Sequence, residues 1–458
     1  MDKVLKYLRE NEARFVDDLG AYLRFPSVSA QPKHKADMKA CAKWFADRCR
    51  SLGLRTRVHA TAGHPIVTAS TRKGSAVKAG KKPHYLVYGH YDVQPPEPFE
   101  LWATPPFEPT IRKGAIYARG STDNKGQHLA HLNAVEAYLK TGVELPCDVT
   151  FVIEGEEEVG SEHLVPFLKE RRAELKCDGV VISDSGMPSP RHPALTYGLR
   201  GVVALEFKVT GPSRDLHSGI YGGAVDNPAM VLAQILAQLR DKRGRVAVPG
   251  FYEDVEKLTA YERKSFRRLP IDKEAFRRLV GAPELFGEQG FSHHEQRSAR
   301  PTLEINGITS GYQGEGSKTI VPSWASAKLT MRLVPDQNPK KILRQVKARI
   351  RELCPPTVKL TLEDGHAGGA YVIDPRCDLA QAGLRALKES FGCEPVLLRE
   401  GGSIPIVSDF KKILKADSLL LGLALPDDNL HSPNEKFDLG NYAKGAAMGA
   451  ILWRELGG

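Results

Sequence analysis

From about residue 36 to 190 the apolar positions switch repeatedly between two periods. Residues 36–52, 127–139 and 163–175 repeat at the three-to-four spacing of a helix with one buried face, whereas 85–89, 149–153 and 179–183 are short apolar runs of the buried-strand kind. The same alternation returns near the end, with helices predicted over 379–391, 404–413 and 439–456 and strands over 395–398 and 418–421. At the amino terminus the spacing of Leu5, Leu8, Phe15, Leu19 and Leu23 predicts an amphipathic helix. Strands separated by helices of this length imply an α/β layer structure around a mostly parallel sheet.

The middle of the chain reads differently. Residues 202–210 alternate as a strand, and Asp226-Asn-Pro228 caps a helix running to about 239. Strands over 302–308 and 325–333, a helix over 339–353 and a strand over 358–363 follow. The order βαββαβ is ferredoxin-like. The expectation is an interrupted α/β body formed by residues 1–195 and 370–458, with a second body over 196–369. Residues 243–300, a charged insertion with mixed signals, find no place in either pattern. No internal repeat or low-complexity tract is present.

Bulk composition constrains this picture only loosely. A chain of 458 residues can bury a large core in two or three domains, and 41% hydrophobic with 26% charged residues is ordinary for a globular protein. The net charge of +10 is spread over 72–82, 263–278 and 340–351 with no accompanying nucleic-acid module, so solvated faces rather than nucleic acid explain it. Seven scattered cysteines without a CxxC pair point to reduced thiols, and neither a signal-peptide core nor a membrane-spanning run is found. A cytoplasmic protein is expected. Residues 311–319 imitate a phosphate loop, but Ser317 separates Gly316 from Lys318 and spoils the spacing.

The candidate chemistry lies at the ends of the predicted strands. His90, Asp123, Glu158, Asp184 and His431 are potential metal ligands, each placed where a predicted strand ends in a loop. Taken singly, each has a plainer explanation. His90-Tyr-Asp92 can be a turn with a hydrogen-bonded histidine, Asp123 a helix cap, Asp184 a turn former and His431 a surface side chain. The run Glu154-Gly-Glu156-Glu157-Glu158 is harder to dismiss, because it directly follows an apolar strand. Carboxylates crowded at the buried end of a sheet repel one another and lose hydration, and a cation is what stabilises them there. A His/Asp/Glu set without cysteine suits a catalytic zinc- or manganese-type site. The combination reads as a two-metal hydrolase, with Asp123 as the candidate bridging carboxylate and Asp92 fixing a neighbouring group from behind.

Eight strings then agree in sequence and order with a known family: HYDVQP, GSTDNKG, EGEEEVGS, ISDSG, DLHSGIYGG, GSKTIVP, REGGSIP and NLHSPNE, spanning residues 90–435. They resemble the M20 family of dinuclear metallopeptidases, in particular its cytosolic non-specific dipeptidase and carnosinase branch. The resemblance implies a zinc-peptidase-like catalytic domain interrupted by a ferredoxin-like lid and dimerisation domain. It implies two divalent ions, zinc or manganese, one held by His90 and Asp184 and the other by Glu158 and His431, with Asp123 between them. Glu157 would be the general base and Asp92 would orient the His90 side. His217 would reach the oxyanion from the other subunit of a homodimer. Arg332, His366 and Ser403 would read the substrate carboxylate. The chain departs from the family in carrying Glu156 where relatives often have an apolar residue, adding charge near the base. Dipeptide hydrolysis is the implied activity. A same-fold amidohydrolase acting on N-acyl amino acids or short oligopeptides, and a non-catalytic metal-binding scaffold subunit, stand as alternatives.

Overall fold

The computed structural model describes residues 1–72, 82–402 and 404–458. Among these, nine strands form one large sheet in the order Arg55–His59, Ile66–Ser70, Asp148–Glu154, His84–His90, Gly179–Ile182, Ser418–Gly422, Ala194–Leu199 and Tyr371–Val372, with Val396–Glu400 also paired to Ala194–Leu199. The central pairs are parallel, as the helix–strand alternation predicts. Of the flanking pairs, Val396–Glu400 with Ala194–Leu199 is also parallel and the others are antiparallel, which makes the sheet mixed. The edge was not evident from periodicity because Arg55-Thr-Arg-Val-His59 is half exposed and mostly polar.

Helices pack against the sheet. The helix Gln127–Thr141 is buried from Gln127 through Tyr138, because Leu439–Gly457 packs on it and leaves no solvated stripe. The amino-terminal helix is two, Asp2–Glu10 and Glu12–Leu23, broken at Asn11. There the Asn11 amide donates to the Tyr7 carbonyl at 2.9 Å, a local bond that competes with continuation of the helix. The helix predicted over 163–175 is shorter, Leu164–Glu170, although Leu175 is still buried.

The chain leaves the large sheet at Leu199 and enters a second, four-stranded antiparallel sheet at Gly201. Its order is Thr302–Ser310, Trp324–Leu333, Gly201–Thr210, Lys359–Gly368, the ferredoxin arrangement expected from βαββαβ. Asn227 and Asn338 cap its two helices, Pro228–Ala237 and Pro339–Leu353, each with proline in the first turn. A separate core including Phe207, Leu232, Met331 and Val346 lies beneath it. The unplaced insertion resolves into three short helices, Ala260–Phe266, Lys273–Val280 and His293–Ser298. No helix among the described residues is long and apolar enough to cross a membrane.

Candidate metal centre

Parallel strands place their carboxyl ends side by side, and that edge carries the chemistry. His90 ends its strand in register with Glu154, and the turn after Glu154 brings Glu157 and Glu158 to the same edge. The next strand, Gly179–Ile182, leads into Asp184. Gly89 permits a close approach here, since a Cβ on it would stand 2.7 Å from both Asn124 Oδ1 and His128 Cβ. Asn124 uses that space. Its oxygen accepts the His90 N–H at 3.3 Å, while its amide donates to Asp184 Oδ1 at 2.9 Å.

Asp123 stands between two imidazoles. His90 Nε2 is 3.2 Å from Asp123 Oδ1, and His431 Nε2 is 2.9 Å from Asp123 Oδ2. Asp184 flanks the His90 side at 3.7 Å, and Glu158 flanks the His431 side at 3.4 Å. All five ligand candidates therefore converge. Residues Asn429, His431 and Asn434 adopt the left-handed backbone region, which folds their loop tightly enough to turn His431 back onto Asp123.

The donor set fits a cation. His90 Nε2 is buried and makes no hydrogen bond among the described residues, although two carboxylates face it. Burial, and then the charges of Asp184, Asp123 and Asp92 working against His90, push the Glu157 carboxyl up to about 8. Burial, Asp123 and the neighbouring acids push Glu158 up to about 10. Burial would also raise Asp123, but His431 and His90 outweigh it and hold that carboxyl well below its ordinary range. Carboxylates at this spacing cannot all ionise unless a positive charge joins them.

Asp92 is buried behind the cluster. Its two oxygens accept the backbone N–H groups of Glu157 at 3.3 Å and Glu158 at 3.1 Å, and Ser29 donates to it at 2.7 Å. It thus fixes the turn that carries Glu157 and Glu158. It also lies 3.4 Å from His90 Nδ1, which in addition contacts the Asp92 carbonyl at 3.1 Å. Glu154 and Glu156 turn away from the cluster. Tyr88 and Ser161 donate to Glu154. The Glu156 carboxylate meets His163 Nδ1 at 2.7 Å and accepts the His64 N–H at 2.9 Å. The charge expected near the base is therefore occupied elsewhere.

Glu435, the last residue of the NLHSPNE string, supports the site in a way its position in the sequence does not signal. It is fully buried, pairs with Arg119 at 2.8 Å, and accepts the backbone N–H groups of Gly120, Thr122 and Asp123 at 2.9, 3.1 and 3.1 Å. One carboxylate thus ties the Asp123 turn to the His431 loop. Glu435→Ala should cost about 3–5 kcal/mol in urea denaturation, because it strands the buried Arg119 charge. Glu435→Gln should keep more of the stability yet lose about 10–100-fold in zinc affinity by equilibrium dialysis. Unchanged zinc affinity in the glutamine variant would remove Glu435 from the site.

The remaining sequence candidates lie apart from the cluster or outside the description. His217 is exposed at the start of the short helix Ser218–Tyr221, where its Nδ1 accepts the Gly219 N–H at 3.1 Å. Among the described residues no hydrogen bond or ion pair joins it to the carboxylates. Arg332 is half-buried on the strand Trp324–Leu333, in register with Thr302 and Val202. His366 is exposed on Lys359–Gly368, at a bulge between Asp364 and Ala367. Ser403 lies outside the described residues.

Comparison with known proteins places this geometry. The model of peptidase family M20/M25/M40 matches residues 86–455. The Cys-Gly metallodipeptidase dug1 of Schizosaccharomyces pombe is 31% identical, over 100% of this chain and 98% of its own. The human Beta-Ala-His dipeptidase is 31% identical, over 100% and 92%. Among solved structures, the di-peptidase Dug1p of Saccharomyces cerevisiae superposes with a TM-score of 0.82 at 31% identity, covering 100% of this chain and 98% of that one.

Proposed function

The chain belongs to peptidase family M20/M25/M40, and on that premise we propose that it is a dipeptidase working with two divalent ions, zinc or manganese. The observation that carries the reading is Asp123, whose two carboxylate oxygens each face a different imidazole, with Asp184 and Glu158 on opposite flanks. His90 and Asp184 would hold one ion, Glu158 and His431 the other, and Asp123 both. When bound, such ions polarise the scissile carbonyl and make a water acidic enough to lose its proton near neutral pH. Glu157, held by its own backbone bond to Asp92, takes a proton from the attacking water and delivers it to the leaving amine. Arg332, with His366 and Ser403, reads the substrate carboxylate, arginine supplying the paired donors that suit one.

The developing oxyanion needs a donor besides the ions. His217 fills that role from a second copy of the chain. Two features support this assignment: among the described residues no hydrogen bond or ion pair joins it to the cluster, and Ile220, three residues further on, is an exposed apolar side chain, 69% accessible. Residues 1–195 with 370–458 form the catalytic body in this reading, and 196–369 the lid. All seven cysteines are free, which suits a cytoplasmic enzyme.

Metal-stripped protein should be inert and regain cleavage of a dipeptide panel when zinc or manganese is restored, with N-acylated dipeptides turned over at least about tenfold more slowly, the effect of losing one well-placed polar contact. Turnover of N-acyl amino acids with silence on dipeptides would instead make it an amidohydrolase.

A further inference from the structure

The segment that follows the second amino-terminal helix, Glu12–Leu23, runs beside the turn after His90, well ahead of the eight strings that begin there. Pro26 disfavours helical backbone at Phe25, and residues 25–29 take an irregular course. Val28 pairs with Val93 as an isolated parallel bridge, and the Val93 N–H donates to the Ser27 carbonyl at 2.9 Å. Ser27 Oγ donates to the Tyr91 carbonyl at 2.6 Å. Ser27 and Val28 are fully buried. Lys125, two residues after Asp123 and also buried, donates to the Tyr22 and Phe25 carbonyls at 3.3 and 2.9 Å. The segment is thus tied both to the chain around Asp92 and to the turn that carries Asp123.

Ser29 stands at its end, half-buried. Its Oγ donates to Asp92 Oδ2 at 2.7 Å, the short distance of a hydroxyl bound to a carboxylate. Among the described residues the other partners of that carboxylate are the N–H groups of Glu157 and Glu158, at 3.3 and 3.1 Å, and His90 Nδ1, at 3.4 Å. Those are the groups that Asp92 has to place. Ser29 is the partner anchored independently of them, through the bonds of Ser27 and Val28 to residues 91–93. On its other side His64 Nε2 lies 3.4 Å from the Ser29 carbonyl, and the His64 N–H donates to Glu156 at 2.9 Å. A carboxylate held only by the groups it orients can turn with them, and a bond to a fixed hydroxyl removes that freedom.

We propose that Ser29 is a positioning residue for the general base, acting through the Asp92 carboxylate on the turn that carries Glu157. Its kinetic consequence rests on the dipeptidase reading. Its structural consequence, protection of the two N–H groups that Asp92 accepts, does not.

On the metal-loaded, full-length protein, Ser29→Ala should lower kcat by roughly 10–100-fold, the effect of losing one hydrogen bond to a charged group. KM and bound zinc per chain should stay unchanged. Ser29→Thr, which keeps the hydroxyl, should restore most of the rate. Hydrogen exchange followed by mass spectrometry gives a second readout: in Ser29→Ala the Glu157 and Glu158 amides should exchange about tenfold faster or more. Wild-type kcat in Ser29→Ala overturns the proposal, as does a loss of zinc that accompanies the loss of rate or a threonine variant as slow as the alanine one. A lower melting temperature with kcat and exchange unchanged would mark a bond that only stabilises the fold, and rejects it too. If Ser29→Ala fails to fold, Ser29→Cys, similar in shape but a weak donor, carries the same expectation. If the wild type cleaves no dipeptide, the dipeptidase reading fails and exchange alone decides. Faster exchange at the two amides then keeps the positioning role, and unchanged exchange rejects it.

Discussion

Glu157→Gln should lower kcat on any cleaved dipeptide by about 10²–10⁴-fold, the span that a positioned general base supplies, while leaving the bound metal unchanged. The substitution keeps the shape of the side chain and removes its basicity. The turn beneath it is held by its backbone, since Asp92 accepts the N–H groups of both Glu157 and Glu158, so the geometry should survive. Metal should survive too, because the contacts that join the two imidazoles run through Asp123, Asp184 and Glu158 and leave Glu157 out. Steady-state kinetics beside elemental analysis of the same sample separates the two effects. A variant that loses its metal would make Glu157 a ligand, and one that keeps its activity would remove it from the chemistry.

Asp123→Asn should weaken binding at both metal positions, by more than the 10–100-fold that loss of a merely supporting residue costs. Among the described residues its carboxylate is the one within ion-pair distance of both His90 and His431. An asparagine has one acceptor oxygen, no charge, and an amide that would point a donor at an imidazole. Asp184→Asn is the control, because Asp184 touches the His90 side alone and should weaken one position. Zinc titration followed by calorimetry reads both variants. Loss confined to one position in Asp123→Asn would contradict the shared-carboxylate arrangement.

The parts of the fold visible in the sequence are those where burial is nearly complete along an element. Strands such as His84–His90 and Gly179–Ile182 are buried at every position, so an apolar run followed by His90 or by Asp184 marks both the strand and the site. The ferredoxin-like sheet was visible because strand Gly201–Thr210 alternates in burial and Asn-Pro caps the first of its helices. Edges were not. Arg55–His59 is held by pairing with Ile66–Ser70 rather than by its own apolar content. The insertion was obscure because its helices are six to eight residues long, too short for periodicity to register. Two capping boxes, Thr259 with Glu262 and Ser292 with Glu295, were the available signal.

At the centre, the ligand types were legible and their supports were not. Glu435 acts through backbone N–H groups that come together only in the folded chain, and no residue spacing reports that. Glu156 shows the converse. Its place beside Glu157 suggested a shared environment, yet the turn sends it to His163 instead.

On the proposed function, Asp123 lies between two ions. Crystals grown with zinc and measured at the zinc absorption edge test it directly. Two anomalous peaks per chain are expected, one between Asp123, His90 and Asp184 and the other between Asp123, His431 and Glu158. A single peak, or a pair that does not include Asp123, would contradict it.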